Sequence, residues 1–150
     1  MIEPVTDLLH QDAAELAEDA RRLLSELDRD VPGAAATGSE CRPAVDVVET
    51  ASAVEVVVDL PGVPPEWLRV ALRRHTLLIV GAKLSAAADP GVRFHVAERS
   101  FGRFARVVRL SGAFDGSRAR AVLATGQLRV ILPRIEERRG RLLPIVVERS

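Results

Sequence analysis

Aromatic side chains are nearly missing from this chain, which has four phenylalanines, one tryptophan and no tyrosine. A core built here must therefore be aliphatic, and the 47% hydrophobic content supplies enough Val, Leu and Ile to make one. Cys41 is the single cysteine, which excludes an intramolecular disulfide framework and leaves a free thiol or a bond between subunits. The three histidines, His10, His75 and His95, fall in a predicted helix, a turn and an alternating strand. No His/Cys/Asp cluster has metal-ligand spacing, and Ser100 has no nucleophile-elbow context. Catalysis, a metal and a cofactor are accordingly not expected. Gly81-Ala82-Lys83 lacks the preceding glycine of a phosphate-binding loop. No apolar run is long enough to span a bilayer. The first residues, with Glu3 and Asp7, lack the basic start and apolar stretch of a secretory signal. The expected location is cytoplasmic, with no membrane partner.

Net charge is also missing: 21 basic and 21 acidic residues cancel, so nothing favours nucleic acid overall. The basic pairs Arg73-Arg74 and Arg138-Arg139 have no interleaved aromatics and read as solvated. The charge is unevenly placed, however. Residues 1–30 hold nine acids and three arginines, net −6, and the remainder carries +6. An acidic arm is thereby available to pair with a basic body.

That arm reads as a helix over residues 7–28. Leu9, Ala13, Leu16, Ala20, Leu23 and Leu27 are spaced 4-3-4-3-4, a narrow apolar stripe. Thr6 is placed to cap its start. The stripe either packs on its own domain or serves self-association or client binding, with Leu9, Leu16, Leu23 and Leu27 as its long side chains. Pro32, Gly33 and small residues make 30–41 a linker.

From Arg42 the period changes to two. Ala44–Glu49, Val54–Leu60, Leu68–Leu72, Leu77–Val80, Val92–Val96, Arg103–Leu110, Ala119–Ala124 and Gln127–Leu132 read as strands. About eight short strands over 43–132 predict an all-β sandwich. Trp67 reads as a packing residue. Residues 134–141 are too charged to bury and predict a flexible tether. Polarity then reverses at Leu142-Leu143-Pro144-Ile145-Val146-Val147, an apolar run that needs a partner surface. The expected organisation is an arm at 1–41, a domain at 42–133 and an extension at 134–150.

Four motifs in order carry a resemblance. They are Asp59-Leu60-Pro61-Gly62-Val63 with Pro65-Glu66, Leu77-x-Ile79-x-Gly81, Glu98-Arg99-Ser100-Phe101-Gly102-Arg103-Phe104-x-Arg106, and Ala121-x-x-x-x-Gly126-x-Leu128-x-Val130-x-x-Pro133. From about residue 43 onward the chain resembles the small heat shock protein (Hsp20, α-crystallin) family. The resemblance implies an immunoglobulin-like sandwich and a dimer formed through Phe94, His95 and Val96, with Arg106 near the interface. It also implies a C-terminal anchor, Leu143-Pro144-Ile145, that inserts into a groove lined by Val70, Leu72, Ala121 and Leu123 of a neighbour. Ile145-x-Val147 fits the anchor pattern by type as well, but Pro144 pre-extends the first tripeptide and keeps Leu143 and Ile145 on one face. The arm departs from the family pattern by being short, helical and free of aromatics.

The function implied is ATP-independent holding of unfolding proteins by dissociable homo-oligomers. The partners are other copies of the chain and client proteins. The alternative reading is a specialised adaptor or scaffold serving one assembly.

Overall fold

The structure, a computed structural model, describes residues 5–33, 41–85, 90–135 and 144–149, with helix side chains from residue 12 onward. Helix α1 (Val5–Asp30) is followed by strands β1 (Val45–Glu49), β2 (Ala53–Asp59), β3 (Leu68–Arg73), β4 (Thr76–Lys83), β5 (Gly102–Arg109), β6 (Arg120–Ala124) and β7 (Gln127–Pro133). All pairings are antiparallel, in a four-stranded sheet of order β1-β2-β7-β6 and a three-stranded sheet of order β3-β4-β5.

Alternation in the sequence decides the layers. In β2, Val54, Val56 and Val58 are buried while Glu55, Val57 and Asp59 face outward. They meet Leu128, Val130 and Leu132 of β7 in one core with Leu77, Ile79, Phe104 and Val108 from the facing sheet. β4 is buried on both faces. Its Leu77 and Ile79 enter that core, whereas Leu78, Val80 and Ala82 form a second cluster with Leu27 of α1 and Val31 just beyond it. A third layer, the helix, thus lies over the outer face of the three-stranded sheet.

Among the described residues there are seven strands where the alternation predicts eight. Residues 92–96 join neither sheet, and every side chain from 90 to 100 is exposed. Alternation shows that a segment is able to be a strand; it does not decide which edge it pairs with, and within this chain the segment pairs with none of the edge strands. The helix begins at Val5, so Thr6 lies inside its first turn rather than capping it. At the far end Val31 still donates to the Leu27 carbonyl, and Pro32, with no N–H, stops the ladder.

Two positions show why the motif glycines stand where they do. Gly81 pairs with both Leu68 and Phe104, and a Cβ there would lie 2.4 Å from the Phe104 ring and 2.8 Å from the Trp67 carbonyl. Gly126 forms a two-residue hairpin loop with Thr125, both at positive φ (76° and 50°), the pattern of a type I′ turn. Its carbonyl accepts the Leu60 N–H at 2.7 Å, and its Cα hydrogen side abuts Pro61. The turn after β2 and the β6-β7 loop, which carry the first and fourth sequence motifs, are thereby joined. A β-branched residue is the wrong occupant of such a position. Thr125→Asn should therefore stabilise the domain by up to about 1 kcal/mol, read as a higher urea midpoint at unchanged slope.

Candidate functional site

The residues with chemistry to offer are apolar side chains and backbone edges, and they lie in four places. The first is the side of the sandwich bordered by β3 and β6, each the edge strand of its sheet. Val70, Leu72 and Leu123 are half-buried on the rim of the main core. Ala121 shares the inward register through its pairing with Val130, but it is exposed. The short 3-10 turn Gly116–Arg118 leads into β6, and a Cβ on Gly116 would touch Leu72 at 2.7 Å, so the two edges are neighbours. Asp115 fixes that turn by accepting from the Ser117 N–H at 3.0 Å and from its hydroxyl, which holds its carboxyl below the ordinary value. The four residues expected to form a groove thus lie on these two neighbouring edge strands.

The opposite side is bordered by β5 and β1. Arg106, on the inward face of β5, donates to the Pro43 carbonyl at 2.6 Å and fastens the segment that enters β1. Cys41, expected in a linker, packs against the main core beside it. β1 is the edge of its sheet, and Val47, although inward by its pairing with Val56, is 50% exposed.

The third place is the segment 90–100. Phe94, His95 and Val96 all project into solvent, with Val96 74% exposed. Phe101, at its end, receives the Arg99 guanidinium 4.8 Å from its ring centroid and the Lys83 ammonium at 5.9 Å. The fourth is the tail. Leu143 lies outside the described residues; Pro144 is exposed, and Ile145 and Val147 are about nine-tenths exposed.

The helix stripe is disposed differently. Leu27 is wholly covered by the sheet of its own domain, and Leu23 is half-buried beside it. Leu16 lines a cleft of about 430 Å3 under the middle of the helix, with Ala71, Arg73 and Leu78 on the other wall. The side chain of Leu9 lies outside the described residues. Of the two sequence readings of the stripe, the structure shows packing on its own domain for its C-terminal half. Acids flanking the stripe pair with arginines of the sheet. Asp19 holds Arg73 at 2.5 and 2.9 Å, Asp30 holds Arg69 at 2.9 Å, Asp28 holds Arg103 at 2.8 Å and Asp12 holds Arg74 at 3.0 Å. These pairs are what residue counting could not locate. The charge imbalance was legible, but the partners required the sheet register that sets Arg69, Arg73 and Arg103 outward.

The hydrogen bond from Arg73 holds the Asp19 carboxyl below its ordinary 3.8. Its lowered folded-state value means that the ion pair stabilises docking at and above the ordinary carboxylate range, and that this contribution is lost as pH falls through the folded-state value. Trp67 packs on both clusters. Acidification below the ordinary Asp range and through the lowered Asp19 value should therefore loosen α1 and red-shift Trp67 emission before the sheet signal in circular dichroism is lost. Unchanged emission throughout that range would show that docking does not depend on these pairs.

Among the described residues no helix is long and apolar enough to cross a membrane. Comparison with known proteins agrees with the geometry. The Hsp20/alpha crystallin family matches residues 46–145. The 18.9 kDa heat shock protein of Oryza sativa subsp. japonica is 36% identical over 115 residues, covering 75% of this chain and 65% of the rice protein, a little under two-thirds of its length. Heat shock protein 16 of Schizosaccharomyces pombe is 31% identical over 113 residues, covering 74% of this chain and 75% of the yeast protein. The solved structure of heat shock protein 16.0 from the same yeast superposes with a TM-score of 0.62 at 30% identity, over 73% of this chain and all of that one. That of hspA from Xanthomonas axonopodis gives 0.59 at 28% identity, over 64% of this chain and 96% of that one. With two opposed antiparallel sheets, the glycine-marked strands and the family match across two-thirds of its residues, this chain belongs to the Hsp20/alpha crystallin family of small heat shock proteins.

Proposed function

We propose that this protein is an ATP-independent holdase that binds unfolding proteins and prevents their aggregation, acting through homo-oligomers that dissociate and re-form. Its family is one of chaperones rather than enzymes. The observation that carries the reading is that one chain leaves apolar donors and apolar acceptors unsatisfied together. Ile145 and Val147 stand in solvent on the tail, while Val70, Leu72 and Leu123 form a half-covered rim. In the assembly, Leu143 and Ile145 of one subunit fill the Val70, Leu72, Ala121 and Leu123 groove of another. Residues 92–96 add as a strand to the free edge of β1 in a partner, forming the dimer. Charge favours that pairing, because β1 carries Asp46 and Glu49 while the segment carries Arg93 and His95.

The test is light scattering of a heat-labile client during warming, without ATP. Suppression at near-stoichiometric ratios is expected for several unrelated clients. No suppression for any of them would remove the general holdase reading. Suppression confined to one client would favour the second reading, a scaffold dedicated to one assembly. The observation on that side is α1 itself, an aromatic-free arm folded onto its own sheet.

A further inference from the structure

The outer face of the three-stranded sheet has a definite chemical pattern. Its register sets Ala71, Leu78 and Val107 side by side across the middle. Arg73 and Arg109 flank that row at one end, and Arg69 and Arg103 stand toward the other. An apolar strip with arginines at its corners fits a helix bearing an apolar stripe between acids. α1 is such a helix, with Leu23 and Leu27 on the strip and Asp19, Asp28 and Asp30 on the corners.

The fit of α1 is incomplete. A cleft of about 430 Å3 remains beneath its middle, between Leu16 and Leu23. Val107 is 46% exposed, and Arg109 is exposed. Asp28 Oδ1 is covered yet accepts no hydrogen bond from the described residues. Its ion pairs lie at or near the surface, where each adds modest attraction that salt weakens and the set of them acts together. The C-terminal half of the helix is held by the buried Leu27 and Val31 cluster, and its tether raises its effective concentration at the face.

We propose that the outer face of β3-β4-β5 is a binding surface for acidic amphipathic helices exposed by client proteins, and that α1 is its built-in competitor. The word client rests on the holdase reading; the surface and its occupant do not. The occupant is acidic because the corners are arginine, and helical because a helix, α1, already packs along this face.

Two labelled 26-residue peptides serve as probes, the length being that of α1. One has the sequence of residues 5–30. The other is a helix of unrelated sequence with the same stripe and acid spacing. Binding is read by fluorescence anisotropy with the full chain and with Asp19→Asn/Asp28→Asn, which weakens the competitor and leaves the face intact. Both peptides are expected to bind the variant at least tenfold more tightly than the parent. Adding Arg73→Glu and Arg103→Glu should abolish binding, and peptides with Asn in place of the acids should bind at least tenfold more weakly. Trp67 emission reports whether the competitor has left. The proposal is overturned if the helix is released and neither peptide binds. It is also overturned if the acid-free peptides bind equally well, or if only the 5–30 peptide binds. Growth of the variant into larger assemblies with no peptide binding would give the face to α1 of a second copy, and that too overturns it. Aggregation suppression, measured separately, can survive or fail independently of any of these results.

Discussion

Chains carrying Leu143→Ala and Ile145→Ala together are expected to fall from the assembled mass to dimers, measured by light scattering behind a sizing column. Each of these side chains is worth about 1.5–3 kcal/mol when buried, and ordering each tail residue costs about 1–2 kcal/mol. The surplus per contact is small, so assembly rests on several contacts acting together. Losing both anchors removes the whole favourable term and leaves the ordering cost, which is why the effect should be a change of state rather than a modest weakening. Ile145→Ala alone should weaken the contact about ten- to a hundredfold and give a concentration-dependent mixture. Val146→Ala should change little, because alternate residues of an extended chain point to opposite sides. An unchanged mass for the double variant would mean that the exposed tail is not what joins subunits.

Gly81→Ala is expected to lower stability by about 3 kcal/mol or more, at the upper end of overpacking costs, and the melting temperature by roughly 10 °C. A methyl there would lie 2.4 Å from Phe104, 2.8 Å from the Trp67 carbonyl and 2.9 Å from Leu68. The phenylalanine ring and the leucine can shift. The carbonyl belongs to the short 3-10 turn Pro65–Trp67 that leads into β3, and moving it would move the strand. Phe104→Leu in the same chain should recover part of the loss, because it frees the closest contact but not the backbone one. Thermal melts of the two single variants and the double variant measure that coupling. A melting temperature within a degree or two of the parent for Gly81→Ala would mean that β4 has room the structure does not show.

These two cases also show what sequence reading could reach. The valine runs of β2 and the alternation of β7 declare their faces directly, because a half-buried strand needs nothing beyond period two. Gly81 was legible as the end of a motif, but its reason lies in Leu68 and Phe104, residues brought beside it by pairing. Val92–Val96 carried the same alternation as a true strand and is not one in this chain, because pairing takes two edges. The inward positions Val70, Leu72, Ala121 and Leu123 were legible as alternating residues of β3 and β6, since an edge strand shows its inward face at the rim. The docking of α1 was half legible. Its stripe and its acids are local facts, whereas Arg69, Arg73 and Arg103 become its partners only after two hairpins of the sheet have formed.

The strand order has a further consequence for how the chain is made. β7 is the last strand in sequence, yet it lies inside its sheet, between β2 and β6. The valine-rich β2 therefore waits for a neighbour roughly 70 residues downstream. At ordinary rates of synthesis that wait is about 4–15 seconds. Throughout it, a growing chain carries a bare β-branched edge with nothing of its own to cover it.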